Sequence, residues 1–194
     1  MRRVLVPLAA VALVAVVVIG LTQASGRGGA SAEAPRFDLA QAKQRLAGAP
    51  APLASLHAQA NALLGGGRTA FERRLASLRG HPVVINKWAS WCGPCRAEFP
   101  LFEQVGTERG RQVAFLGLNG GDKTAAARRF LDARPLPFPS YEDPHEAIAR
   151  ELAAPTNYPI TIFVDARGRT AFIHQGQYTS ASQLSADIDR YLAG

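Results

Sequence analysis

The sequence has few cysteines, few charged residues and no long run of charge. Two cysteines among 194 residues allow at most one internal disulfide, which excludes a disulfide-rich scaffold. Charged residues make up 19% of the chain and hydrophobic residues 47%, which excludes a disordered or fibrous protein. The net charge of +7 includes no basic run longer than a pair such as Arg73-Arg74, so nucleic-acid binding is poorly supported. The length fits one globular domain with an appendage.

The first 26 residues predict a membrane segment. Arg2 and Arg3 precede an uncharged, mostly aliphatic run over residues 4–26, and about 20 apolar residues suffice to cross a bilayer. The two arginines favour a cytoplasmic N-terminus, so we expect a single-pass anchor with the rest of the chain extracytoplasmic. The alternative is a signal peptide cleaved near Ala24, which would release a secreted protein.

The rest of the chain divides into three parts. Residues 27–36 are mainly Gly, Ala and Ser and predict a flexible tether. Residues 37–79 show a helical spacing of leucine over 39–46, 53–64 and 71–78, which predicts a helical N-terminal extension. In residues 80–194 short apolar strands alternate with helices, apart from a proline-rich extended connection after residue 134. This order predicts an α/β domain with helices on both faces of a sheet.

The chemistry centres on the motif Trp91-Cys92-Gly93-Pro94-Cys95, between a predicted strand and a predicted helix. A Cys-x-x-Cys pair at a helix start suits disulfide exchange, because the helix dipole favours the thiolate of an exposed first cysteine and the second lies one turn on. A zinc site would need two further ligands, and the four histidines are scattered. A purely structural disulfide would close too short a ring to add much stability. The spacing therefore favours thiol-disulfide exchange over both alternatives.

Segments 83–100 and 158–165, together with Gly168, resemble the thioredoxin superfamily, and specifically the membrane-anchored bacterial thiol-disulfide reductases of the TlpA-like group. The resemblance covers residues 78–193. It implies a thioredoxin-like fold, with a central mixed β-sheet flanked by helices and an inserted helix within residues 135–154. It also implies that Cys92 is the nucleophile, Cys95 the resolving thiol and Pro159 a cis-proline facing them. Beyond a redox-active Cys92–Cys95 disulfide, the resemblance implies no cofactor and no metal.

The resemblance further implies a substrate-binding surface, formed by Trp91, Gly93, Pro94, Tyr158 and Pro159. A cis peptide before Pro159 would leave the backbone of Tyr158 beside the two sulfurs, as an edge for main-chain hydrogen bonds. An ordinary trans proline that opens a strand is the alternative. The partners are then substrate proteins with disulfides or thiols. Whether a membrane protein donates electrons to the enzyme stays open.

Glu98 is the candidate proton acceptor. It lies three residues after Cys95, one helical turn on, where a carboxylate could take the proton of a buried thiol. The family has an acid at this position, and a solvated helix carboxylate is the alternative. Asn86 stands where thioredoxin has a buried aspartate, which shifts the general-base role toward Glu98. Lys87 replaces an aromatic residue common there, and we expect it to snorkel over apolar surface rather than point toward the site.

Together these observations predict a membrane-tethered, extracytoplasmic thiol-disulfide oxidoreductase that reduces disulfides of substrate proteins. Two alternatives are a dithiol oxidase that works in the opposite direction and a non-catalytic peptide-binding module that keeps the fold. The intact cysteine pair argues against the module, and Gly93-Pro94 leans weakly toward reduction. A peroxidase on a related fold would need threonine two or three residues before its reactive cysteine, where this chain has Ser90 and Ala89.

Overall fold

The computed structural model describes residues 37–192, which form a six-stranded mixed sheet covered by seven helices. The strands are β1 (Leu63–Leu64), β2 (Val83–Trp88), β3 (Ala114–Gly120), β4 (Ser140–Asp143), β5 (Ile160–Val164) and β6 (Thr170–Gln175). The helices are α1 (Leu39–Leu46), α2 (Ala51–His57), α3 (Gly67–Ser77), α4 (Gly93–Arg109), α5 (Thr124–Ala133), α6 (Ala147–Glu151) and α7 (Ala181–Leu192). The predicted α/β architecture is confirmed.

The strand order places β2 in the interior of the sheet. The order is β1-β4-β3-β2-β5-β6, with the first four strands parallel and β5 and β6 forming an antiparallel hairpin. Val83 is in register with Ala114 of β3 on one side and with Val164 of β5 on the other. Since β2 has hydrogen-bonded neighbours on both sides, its C-terminal end holds the cysteine motif in a fixed position.

Two hydrophobic cores lie on the two faces of the sheet. Val84 packs with residues of α4, α5 and α7, whereas Val83 and Ile85 pack with residues of α2, α3 and α6. All six residues of β2 are buried, as expected for a strand whose two faces are both covered. Consequently, a polar residue in β2 is buried whichever face it points toward.

The N-terminal extension is not purely helical. The helix predicted over residues 53–64 ends at His57, and Leu63 and Leu64 instead pair in parallel with Ser140 and Tyr141 of β4. The turn before β1 is held by Asn61, which has a left-handed backbone (φ 64°) and whose side chain binds backbone atoms 70 and 75 residues away. These long-range contacts outweigh the local helical pattern. The extension also adds Leu53, Leu56 and Phe71 to the core, and residues from Phe37 onward form one compact unit.

The proline-rich connection contains a strand that the sequence did not reveal. Ser140–Asp143 forms β4, which lies between β1 and β3. The inserted helix expected within residues 135–154 is α6, and Asp143 caps it by accepting the N–H groups of Ile148 (3.1 Å) and Ala149 (2.8 Å).

The predicted membrane anchor and tether, residues 1–26 and 27–36, lie outside the described residues. Within residues 37–192, no helix combines the length and apolar character needed to span a bilayer. The boundary expected between residues 79 and 80 stays a prediction.

Candidate active site

The two cysteines form a disulfide at the N-terminus of α4. Cys92 is the residue that caps this helix, and its sulfur accepts a hydrogen bond from the N–H of Cys95 at 3.2 Å. The expectation of an exposed first thiol is wrong for this oxidised form: Cys92 is 4% exposed and Cys95 is fully buried. Both side chains belong to the core between the sheet and α4, so in the described part of the chain the disulfide meets solvent only at Cys92.

The rim of the disulfide is aromatic and open. Trp91 is 60% exposed, and Gly93 and Pro94 are also exposed. The Trp91 indole N–H donates to the carbonyl of Gly121 at 3.1 Å. Its ring packs edge-on against Tyr158, with the centroids 5.1 Å apart. This contact brings the residue before Cys92 next to the residue before Pro159.

The peptide bond between Tyr158 and Pro159 is cis. Pro159 accepts a hydrogen bond from the N–H of Gly176 (3.0 Å), and β5 starts at the next residue. The backbone of Tyr158 makes no backbone–backbone hydrogen bond within residues 37–192. Of the five residues predicted for the substrate surface, Trp91 and Tyr158 are in contact, Gly93 and Pro94 are exposed beside Cys92, and Pro159 is buried. That these residues bind substrate stays a prediction.

Glu98 is fully buried, so the alternative of a solvated helix carboxylate is wrong. Its two oxygens accept hydrogen bonds from the side-chain amide of Asn86 (2.7 Å) and from the backbone N–H of Tyr178 (3.0 Å). Burial raises the pKa of Glu98 from 4.5 to about 7, although both hydrogen bonds favour the charged form and oppose the rise. A carboxyl group one turn from Cys95 is thus suited to exchanging a proton near neutral pH.

Lys87 does not snorkel to solvent. It is fully buried, and its ammonium group lies 3.2 Å from a carboxylate oxygen of Glu146, 2.8 Å from the carbonyl of Pro155 and 4.1 Å from the centre of the Tyr158 ring. The prediction was wrong because both faces of β2 are covered, so the Lys87 side chain has no solvent-exposed surface to extend along. Glu146, at the start of α6, was not predicted as a site residue.

Asp122 is a second residue that the sequence did not identify. It accepts hydrogen bonds from the N–H (2.6 Å) and hydroxyl (3.0 Å) of Ser90 and from the amide of Asn119 (3.1 Å). Burial alone would raise the pKa of Asp122, but these donors lower it overall. The loop before Cys92 is therefore tied to the end of β3. The sequence does offer a signal for Asp122, because this carboxylate follows directly after a buried strand and a pair of glycines.

Within residues 37–192, no group of three or more His, Cys, Asp or Glu side chains could hold a metal ion. The expectation that the enzyme uses no metal and no cofactor besides its disulfide stays a prediction.

Comparison with known proteins places this site in a family. The model of the AhpC/TSA family matches residues 47–173, more than half of the chain. The chain belongs to the AhpC/TSA family. It is 32% identical over 119 residues to the thioredoxin-like protein YneN of Bacillus subtilis, an alignment that covers 59% of this chain and 69% of YneN.

Further relatives of this AhpC/TSA family member are named for thiol-disulfide chemistry. The thiol-disulfide oxidoreductase ResA of Oceanobacillus iheyensis is 30% identical over 109 residues, which is 55% of either chain. A secreted disulfide oxidoreductase of Mycobacterium tuberculosis, described as homologous to Escherichia coli DsbE, is 27% identical with a TM-score of 0.53, over 59% of this chain and 85% of that one. The thioredoxin-like fold, the TlpA-like resemblance and the classification as a thiol-disulfide oxidoreductase are thus confirmed.

Proposed function

We propose that this AhpC/TSA family member reduces disulfides of extracytoplasmic substrate proteins through Cys92 and Cys95. The observation that carries the proposal is the Cys92–Cys95 disulfide at the start of α4, whose neighbour Trp91 packs against Tyr158, a residue with no backbone–backbone hydrogen bond among residues 37–192. This combination supplies both a reactive sulfur and a surface that can bind an extended substrate segment.

The reaction is a two-electron exchange in two steps. The thiolate of Cys92 attacks one sulfur of the substrate disulfide, forms a mixed disulfide and releases the other substrate sulfur as a thiolate. The thiolate of Cys95 then attacks the Cys92 sulfur, re-forms the Cys92–Cys95 disulfide and releases the second substrate sulfur. The substrate is reduced and the enzyme is oxidised. A dithiol donor must reduce the enzyme before the next cycle.

Glu98 serves the second step, because the thiol of Cys95 is buried and must lose its proton before it attacks. With a pKa of about 7, Glu98 can take that proton at neutral pH and return it when the disulfide is reduced again. Asn86 cannot titrate, but its amide holds the carboxyl group in place. Glu98 is therefore the group that exchanges the proton of Cys95.

Insulin reduction tests the proposal. The full-length protein, with a dithiol as electron source, should reduce insulin catalytically, and Cys92→Ser should abolish turnover. The alternative of a dithiol oxidase predicts instead that the oxidised protein inserts disulfides into a reduced substrate faster than it supports reduction. A peptide-binding module predicts no turnover in either direction, and either result would refute the proposal.

The proposed location is the outer side of a bacterial cell membrane, held there by residues 1–26. The uncharged run behind Arg2 and Arg3 supports the anchor, and the secreted relative from M. tuberculosis supports the extracytoplasmic side. We expect the protein to stay in the membrane fraction after a carbonate wash. Recovery of a soluble form that begins near residue 25 would show a cleaved signal peptide and contradict the anchor.

A further inference from the structure

Lys87 is a fully buried cation behind the substrate surface. Its ammonium group contacts only three kinds of partner in the described part of the chain: the Glu146 carboxylate, the Pro155 carbonyl and the face of the Tyr158 ring. Taking an ammonium group out of water is costly, and a buried ion pair is often no more stabilising than apolar side chains of the same volume. Stability alone therefore gives no reason for a lysine at this position.

Two of the three partners of Lys87, Glu146 and Tyr158, also bind each other. The Tyr158 hydroxyl donates to the same Glu146 oxygen that Lys87 contacts. Burial, and then the hydrogen bond to Glu146, raise the pKa of Tyr158, so this hydroxyl remains protonated and keeps donating. The ring of Tyr158 contacts both the Lys87 ammonium group, 4.1 Å from its centre, and the ring of Trp91, whose centre is 5.1 Å away. One end of this chain of contacts is in the core and the other is at the exposed rim of the disulfide.

Two backbone positions near Tyr158, at Glu146 and Gly120, have unusual geometry. Glu146 has a left-handed backbone (φ 53°), which is unfavourable for a residue other than glycine and must be held by its surroundings. At Gly120, a Cβ atom would lie 2.5 Å from the Tyr158 hydroxyl oxygen, so a larger residue there would displace the ring. The close approach at Gly120 leaves the Tyr158 hydroxyl little room to move toward β3.

We propose that Lys87 is a positioning residue for protein substrates, which it serves by holding Tyr158 against Trp91. The inference rests on the proposed function, since it assumes that substrates bind along the Tyr158 backbone. An edge that is already held in its binding conformation loses less conformational entropy when a substrate segment pairs with it. The benefit goes to substrates that bind along the edge. A small disulfide that meets only the Cys92 sulfur gains much less.

Lys87→Met is the variant that tests this inference, because methionine fills much of the same space without the charge. Since Lys87→Met leaves Glu146 without its cation, Lys87→Met/Glu146→Gln is measured beside it so that no uncompensated buried charge remains. Lys43→Met makes the same chemical change at an exposed position of α1 and is the matched control. Each full-length protein is assayed with insulin and with oxidised glutathione.

We expect both Lys87 variants to raise the KM for insulin by about 5-fold to 10-fold, with a much smaller change in kcat and in kcat/KM for glutathione disulfide. Lys43→Met should match the parent with both substrates. An unchanged KM for insulin in the Lys87 variants would overturn the inference. Equal losses with both substrates, in step with a lower unfolding midpoint, would also overturn it, because they would show a purely structural role.

The same assay separates failure of the inference from failure of the proposed function. If the parent reduces insulin but the Lys87 variants have its KM, only the role of Lys87 is wrong. If the parent reduces insulin no faster than Cys92→Ser does, the proposed function is wrong and the inference falls with it.

Discussion

Replacing Glu98 by Gln should slow turnover while making the protein more stable above neutral pH. The substitution removes the proton site and keeps the shape. It is also compatible with the surrounding hydrogen bonds. The glutamine oxygen can accept from the N–H of Tyr178, and its NH₂ group can donate to Asn86 if that amide turns over. The Asn86 carbonyl oxygen is buried without a hydrogen-bond partner among the described residues, so turning the amide breaks no hydrogen bond other than the one to residue 98.

The effect on stability follows from the direction of the pKa change. Because the pKa of Glu98 is raised from 4.5 to about 7 in the folded protein, the folded state binds a proton that the unfolded state has released between these values. The unfolding free energy therefore falls by about 3 kcal/mol as the pH rises from below the unfolded pKa through the folded one. Glutamine has no charge to bury, so Glu98→Gln should lack this part of the pH dependence.

Urea unfolding of the oxidised protein at about pH 5 and about pH 8 measures this difference. Glu103→Gln is the matched control, because Glu103 lies in the same helix and burial also raises its pKa to about 7. Both variants should weaken the pH dependence of stability. Only Glu98→Gln should slow insulin reduction, by about 10-fold or more. If Glu98→Gln turned over like the parent from about pH 6 to about pH 9, Glu98 would not exchange the proton of Cys95.

Three further substitutions test other parts of the account. Cys95→Ser should accumulate mixed disulfides with partner proteins on non-reducing gels, whereas Cys92→Ser should trap none; equal trapping by the two would show that the assigned order of attack is wrong. Trp91→Ala should lower the unfolding free energy by only about 1 kcal/mol, since Trp91 is 60% exposed and loses one hydrogen bond and one ring contact, but should raise the KM for insulin, and an unaltered KM would exclude it from the substrate surface. Gly117→Ala should lower the unfolding free energy by about 2–3 kcal/mol, because the added methyl would overlap the side chain of Ser140; an unchanged urea midpoint would contradict this packing.

The parts of the site that are close together in the sequence could be predicted. Strand β2, the cysteine motif and the start of α4 form one continuous segment whose local signals agree. The hairpin of β5 and β6 was likewise readable from its turn around Gly168. The spacing from Cys95 also placed Glu98 on the correct turn of the helix.

The remaining features depend on residues far apart in the chain. Whether Glu98 is buried depends partly on Tyr178, which reaches it from a position 80 residues later. Strands β1 and β4 are two and four residues long; β1 pairs with β4, and β4 also pairs with β3. The pairing of Lys87 with Glu146 joins β2 to the inserted segment. A single sequence shows none of these contacts, because periodicity reports local structure and not which segments meet.

The reduction potential of the Cys92–Cys95 pair tests the central claim most directly. The full-length protein is equilibrated with dithiothreitol or glutathione redox buffers, and the fraction of free thiol is measured by alkylation. A protein disulfide reductase should give a potential close to that of thioredoxin, about −270 mV, so that reduced Cys92 and Cys95 pass electrons to most substrate disulfides of higher potential. A potential near about −120 mV would identify a strong oxidant and contradict the reductive direction.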